Sequence, residues 1–173
     1  PDGWFHQAVG VPAVDASTLL IPALGLLPTD HPLMAATLER VVAELSSDGL
    51  IFRYLSPDGL SGGEGAFLLC SFWLVDCLTH AGRLDEAQAL LERLLSLGND
   101  VGLFAEEASI TTGEPLGNFP QAFTHMAVVT SCAHLSAAKQ GLLPRADEAH
   151  NYTELAVDRL PALDPVRPRD RSS

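Results

Sequence analysis

Residues 64–97 read EGAFLLCSFWLVDCLTHAGRLDEAQALLERLLSL, and two helices of opposite character follow from that line. The first, Glu64 to Ala81, is apolar almost all the way round, and a helix without a polar face has to be buried. The second, Leu84 to Leu97, sets Ala87, Leu90, Leu91, Leu94 and Leu95 on one stripe, with Asp85, Glu86, Gln88, Glu92 and Arg93 elsewhere. That spacing predicts a half-exposed helix. Gly82 separates the two, so an inner helix is followed by an outer one.

The pattern recurs downstream. Phe119 to Ala138 is rich in apolar and small residues, and Arg145 to Leu160 carries Asp147, Glu148, Glu154, Asp158 and Arg159. Upstream, Ala13 to Leu27 and Pro32 to Leu45 also have helical length, while Leu50 to Leu55, with Ile51, Phe52 and Tyr54, reads as extended. Repeated inner and outer helices predict an all-α fold, a partial toroid or solenoid built of helical hairpins. The tail, residues 161–173, lacks apolar periodicity and reads as disordered.

Composition narrows the function classes. The chain has 173 residues, 47% hydrophobic and 18% charged, which suits one domain or a piece of one. Its net charge is -12, with ten Lys and Arg scattered along it, so nucleic acid is not an expected partner. The longest apolar stretch, Ala66 to Val75, falls well short of the roughly 20 residues that span a bilayer. Pro1-Asp2-Gly3-Trp4 shows neither an initiator Met nor a signal peptide, and the sequence reads as a fragment.

Cys70, Cys77 and Cys132 read as reduced, buried thiols of a cytoplasmic protein, because Cys70 and Cys77 stand about 10 Å apart along one helix. No CxxC or HxxxH spacing points to a metal, and no cofactor is expected. His6, His31, His80, His125, His134 and His150 have spacing that supports neither a metal site nor a nucleophilic triad. His125 is read either as a hydrogen-bonded core residue or as a pocket residue. SGGEG at 61–65 lacks the Lys of a phosphate-binding loop, and no serine sits in a GxSxG setting.

One connection is out of proportion. Asn99 to Asn118 is long for a helix-to-helix link, where 2–8 residues is usual, and long loops on rigid elements carry function. It holds Asp100, Glu106, Glu107 and Glu114 among Gly102, Gly113 and Gly117.

Four blocks in order carry a resemblance: AVDASTLLIPALGLLPTDHP at 13–32, GGEGAFLLCSFWLVDCL at 62–78, NDVGLFAEE at 99–107 and LGNFPQAFTHMAVV at 116–129. Together they resemble the signature blocks of the bacterial glucoamylase-like glycoside hydrolases, family 15. The resemblance implies an (α/α)6 toroid and inverting hydrolysis of α-glucosides by two carboxylic acids on loops at one end. It places residues 3–160 in the C-terminal portion of the catalytic domain. By the same resemblance the general base is the first Glu of the AEE tripeptide, Glu106, and the general acid lies before Pro1. One carboxylic acid must protonate the leaving oxygen while the other activates water about 6.5–9.5 Å away, so the isolated chain is expected to be inactive.

Further expectations rest on the same blocks. Phe123 is placed to pack on a sugar ring or in the core. Asp15 and Glu64 are read as sugar contacts on the active-site rim or as electrostatic partners of helix N-termini, and Glu107 as a substrate contact or a shaper of the loop. Ala108 and Ser109 depart from the aromatic and acidic residues of many relatives, and Val11 stands where fungal glucoamylases carry an arginine. The leading expectation is exo-hydrolysis of an α-glucoside oligosaccharide or disaccharide. A trehalase of the same family and a non-catalytic helical-repeat binding module are the alternatives. An incomplete toroid exposes apolar flanks, so self-association is also expected.

Overall fold

The computed structural model describes residues 3–56 and 65–143. Glu64, the predicted helix from Arg145 to Leu160 and the 161–173 tail lie outside the described residues.

Among the described residues four α-helices dominate: α1 (Pro32–Leu45), α2 (Leu68–His80), α3 (Leu84–Leu95) and α4 (Ala122–Lys139). Five strands of two residues each accompany them: β1 (Ser46–Ser47), β2 (Leu50–Ile51), β3 (Ala66–Phe67), β4 (Glu107–Ala108) and β5 (Pro115–Leu116). The architecture is the all-α one read from the sequence, with helical hairpins as its unit.

Helix α2 behaves as its composition requires. Ten of its thirteen residues are buried, from Leu68 to Thr79, between α3, α4 and a 3-10 helix, Ala16–Leu20. Its buried hydroxyls are satisfied: Ser71 Oγ accepts from the Ile51 amide at 2.9 Å and donates to the Phe67 carbonyl at 3.2 Å, and Thr79 Oγ1 donates to the Val75 carbonyl at 2.8 Å. The helix stops at Gly82, whose φ of 72° is left-handed and suits glycine, and α3 turns back along it. In α3, Ala87, Leu91 and Leu94 are buried while Leu95 is 40% exposed, so the predicted stripe is slightly narrower than the periodicity suggests.

One segment differs from expectation. Ala13 to Leu27 is not a continuous helix; it makes the single 3-10 helix and then turns. Pro22 has no amide to continue the ladder, and Gly25 closes the following turn with φ 69°. Helix α4 shows the exposed flank expected of an incomplete toroid: only Thr124, Ala127, Ser131 and Leu135 are buried. Phe123, Met126 and Val129 are 64%, 64% and 69% exposed, because among the described residues α4 packs on α2 and α3 from one side only.

Helix α1 starts at Pro32, a residue pre-set for a first helical position, with His31 Nδ1 accepting from the Leu33 amide at 3.3 Å. It ends in a tight β1–β2 hairpin, where Asp48 (φ 51°) and Gly49 (φ 78°) both take left-handed conformations. An Asp-Gly pair is the preferred chemistry for such a turn. Asp48 pairs with Arg93 of α3, and this seats the hairpin on the outer helix.

The lower ends of α2 and α4 carry a polar cluster. Buried Asp76 approaches His134 Nδ1 at 3.3 Å, and the His134 ring stands edge-on to His80 at 5.5 Å. All three cysteines are free, with Cys70 and Cys77 buried and their thiols pushed up to about 12 by that burial. No described helix is long and apolar enough to cross a membrane.

His80 gives the fold a pH dependence with a definite sign. Burial, reinforced by His134 and opposed by Asp76, lowers its pKa from 6.5 to about 4. The unfolded chain therefore binds this proton more readily, so the contribution to stability is complete above about pH 6.5 and is lost as pH falls toward 4. The loss is on the order of 3–4 kcal/mol, at about 1.4 kcal/mol per pKa unit. Melting temperature is expected to drop across this window, and His80→Gln to flatten the drop; an equally steep fall in the variant contradicts the assignment.

Candidate active site

The long Asn99 to Asn118 connection is a folded element. Asn99 Oδ1 accepts from the amides of Val101 and Leu103 at 3.1 and 2.8 Å, which curls the entry. Phe104 then plugs into the core, edge-on to Phe72 at 6.2 Å and to His125 at 5.6 Å. Beyond it, β4 and β5 form a hairpin, and β4 is the centre of a three-stranded antiparallel ribbon in the order β3-β4-β5. Strands of two residues leave no readable alternation, so the sequence shows only a loop. The tip of the hairpin is held by Ser109, whose Oγ accepts from Thr111 and Thr112, and by Gly113 at φ 74°. Ala108 is 1% exposed, enclosed where the ribbon meets β3.

Glu106 continues the central strand, and its backbone is held on both sides. Its amide donates to the Asn118 carbonyl at 2.9 Å, and its carbonyl accepts from the Leu68 amide at 3.0 Å. The Leu68 amide is one of the first-turn donors that α2 cannot satisfy internally, so Glu106 serves as the backbone cap of that helix. Thr124 Oγ1 holds the Ala105 carbonyl at 3.0 Å, and the Gln121 amide holds the Phe104 carbonyl at 2.9 Å. The segment is tied to the N-terminal ends of both α2 and α4.

At that junction lies an open cavity of about 370 Å³ whose walls include Arg53, Phe67, Trp73, Glu106, Gln121 and Phe123. Apolar rings face one carboxylate and one guanidinium. The Glu106 carboxylate is fixed through Oε2, which accepts from the Asn118 amide at 3.0 Å and from Asn118 Nδ2 at 2.8 Å. A second cavity, of about 380 Å³, lies at the opposite ends of the helices around Thr29, Asp30 and His80. It lacks the aromatic walls, and the long hairpin does not reach it.

The expected site residues separate in space. Glu106 and Phe123 share the cavity, and the Phe123 ring is exposed among the described residues. Glu107 is not on the cavity wall; its Oε2 accepts from the Gly65 amide at 2.8 Å, the geometry expected of a residue that shapes the loop. Asp15 accepts from the Ser17 amide at 2.8 Å and caps the 3-10 helix; it is not on the cavity wall, although its charge reaches Cys70. Glu64 lies outside the described residues. His125 is half-buried and hydrogen-bonded, accepting from the Phe104 amide at Nε2 (3.3 Å), which leaves Nδ1 to donate to the Gln121 carbonyl at 2.7 Å. No group of described residues is arranged to hold a metal ion.

Arg53, Trp73, Gln121 and Asn118 were not foreseen as site residues. Arg53 follows the buried Leu50–Ile51 strand, a lone basic residue after an apolar run, and that was its only sequence signal.

The fold is that of solved glycosidases. A wild-type glycosidase superposes with a TM-score of 0.68 at 24% identity, over 83% of this chain and 40% of the other. A glycosidase variant solved in complex with glucose gives 0.67 at 23% identity. The model of "Glycosyl hydrolases family 15" matches residues 2–133, and the chain belongs to that family. It is 45% identical over 141 residues to trehalases of Mycolicibacterium smegmatis and Mycobacterium tuberculosis, covering 80% of this chain and 21% of each relative. With a trehalase of Thermoplasma acidophilum it shares 41% over 135 residues, 78% of this chain and 23% of the relative. The chain thus spans about a fifth of the length of these curated relatives, and its architecture is a partial α/α toroid.

The Glu107 bond gives a test of its loop-shaping role. Glu107→Ala removes an acceptor from the partly buried Gly65 amide and is expected to cost about 1–2 kcal/mol, a fall of a few degrees in melting temperature. An unchanged melting temperature together with a raised KM would instead make Glu107 a substrate contact.

Proposed function

We propose that the full-length protein hydrolyses an α-linked glucoside with inversion, that trehalose is its substrate, and that Glu106 is the general base. The observation that carries this reading is a carboxylate fixed at the backbone and at one oxygen, on the wall of a cavity lined with aromatic rings. The choice of trehalose over an oligosaccharide is supported by the similarity to trehalases at 45% and 41% identity.

The chemistry follows from the two roles the reaction needs. Water enters between Glu106 and the anomeric carbon; its oxygen forms the new C1–O bond while Glu106 takes its proton. The glycosidic C1–O bond breaks on the opposite face, and the leaving oxygen takes a proton from a carboxylic acid. That acid is proposed to come from a part of the full-length protein outside these residues. Attack on α,α-linked trehalose releases one β-glucose and one α-glucose. Trp73, Phe67 and Phe123 offer faces for the apolar side of a sugar ring, and Arg53 offers donors to hydroxyls.

The test is glucose release from trehalose, isomaltose and maltotriose by the full-length protein and its Glu106→Gln variant. Trehalose is expected to be the preferred substrate, and the variant to lose about 10²–10⁴-fold in kcat. Wild-type activity in Glu106→Gln would refute the base; preference for maltotriose would refute only the substrate. The exposed α4 flank also supports self-association of the isolated chain, to be seen as concentration-dependent mass in light scattering; a monomer at all concentrations contradicts it.

A further inference from the structure

We propose that Asn118 is a positioning residue that selects which oxygen of Glu106 receives the proton of water. The proposal rests on Glu106 being the base, as argued above.

A carboxylate offers two equivalent oxygens that exchange by rotation of its terminal torsion, which is broad. In this chain the equivalence is removed. Both N–H donors of Asn118, the backbone amide at 3.0 Å and Nδ2 at 2.8 Å, converge on Oε2, and no described residue donates to Oε1. The Asn118 carbonyl in turn accepts from the Glu106 amide at 2.9 Å. The two residues therefore clasp each other through three hydrogen bonds, and Oε1 is the oxygen left for water.

Gly117 lets the clasp close. Its φ is 70°, and a Cβ there would stand 2.9 Å from Glu106 Oε2 and 3.1 Å from Glu106 Cβ. Any side chain at 117 would push the carboxylate off Asn118. The cis Phe119–Pro120 peptide follows directly and leads into α4, so Asn118 sits between the ribbon and the helix that carries Phe123.

Positioning has a distinct kinetic signature. Displacing a reacting group by about 1 Å costs on the order of 10²-fold, and a residue that touches only the base leaves substrate binding alone. The experiment measures kcat and KM of the full-length protein on whichever of trehalose, isomaltose and maltotriose it hydrolyses best, for Asn118→Ala, Asn118→Asp, Asn118→Ser and Glu106→Gln, with melting temperatures for each.

Asn118→Ala is expected to lower kcat by about 10–100-fold with KM within about twofold. Asn118→Asp has the same shape but replaces the donor with an acceptor and should fall at least as far; Asn118→Ser, which keeps a donor, should recover part of the rate. The proposal is overturned if the aspartate variant keeps wild-type kcat, or if Asn118→Ala raises KM and leaves kcat unchanged. Full activity in Glu106→Gln overturns the base assignment and this proposal with it. Loss of activity there with wild-type kcat in all Asn118 variants overturns only the role of Asn118.

Discussion

Helix α2 carries one acidic residue, Asp76, in thirteen positions and is buried along nearly its whole length. A helix of that kind has no stable surface of its own, so every neighbouring element is arranged to remove it from water. Helices α3 and α4, the 3-10 helix and the β1–β2 hairpin each cover a side. Burial of the apolar side chains stabilises the fold by roughly 1.5–3 kcal/mol for each large residue. The polar exceptions are bonded: Ser71 to the Ile51 amide, Ser131 Oγ to the Phe72 carbonyl at 3.2 Å, and Asp76 to His134.

The same constraint builds the site. A buried helix still has first-turn amides to satisfy, and Phe67, the N-cap of α2, supplies no side-chain bond. The Glu106 carbonyl reaches the Leu68 amide instead, which places the carboxylate at the mouth of the helix pair. A structural need and the proposed chemical role therefore meet in one residue. The aromatic wall has the same origin, since Phe67 and Trp73 lie on the less covered side of α2, and Phe123 opens α4 beside them.

What could be read in advance was periodic. The inner and outer character of α2 and α3 and the stop at Gly82 follow from spacing and composition, and the Asn99 to Asn118 connection is conspicuous by length and charge. Glu106 came from the likeness of its block to a family, not from periodicity. What escaped was set by short or distant contacts. Pro22 and Gly25 cut the Ala13 to Leu27 segment into a 3-10 helix and turns, an effect that hydropathy hides. The β3-β4-β5 ribbon joins residues 66 and 108, too far apart and too short to show an alternating pattern. Asn118 and Glu107 illustrate the limit: both are polar residues of one loop, and only the return of the chain turns one toward Glu106 and the other toward Gly65. The exposed flank of α4 was legible in kind, as the open side of an incomplete toroid, but not in which residues would form it.

The central claim is that Glu106 faces, across the cavity, a carboxylic acid that protonates the leaving oxygen. The most direct measurement is a crystal structure of the full-length protein with an unhydrolysed trehalose analogue bound. The account predicts a second carboxyl group opposite Glu106 at about 6.5–9.5 Å, with a water held at Oε1 below the anomeric carbon. A separation of about 5–5.5 Å, the spacing of a retaining enzyme, or a cavity wall with no carboxyl opposite Glu106, would contradict it.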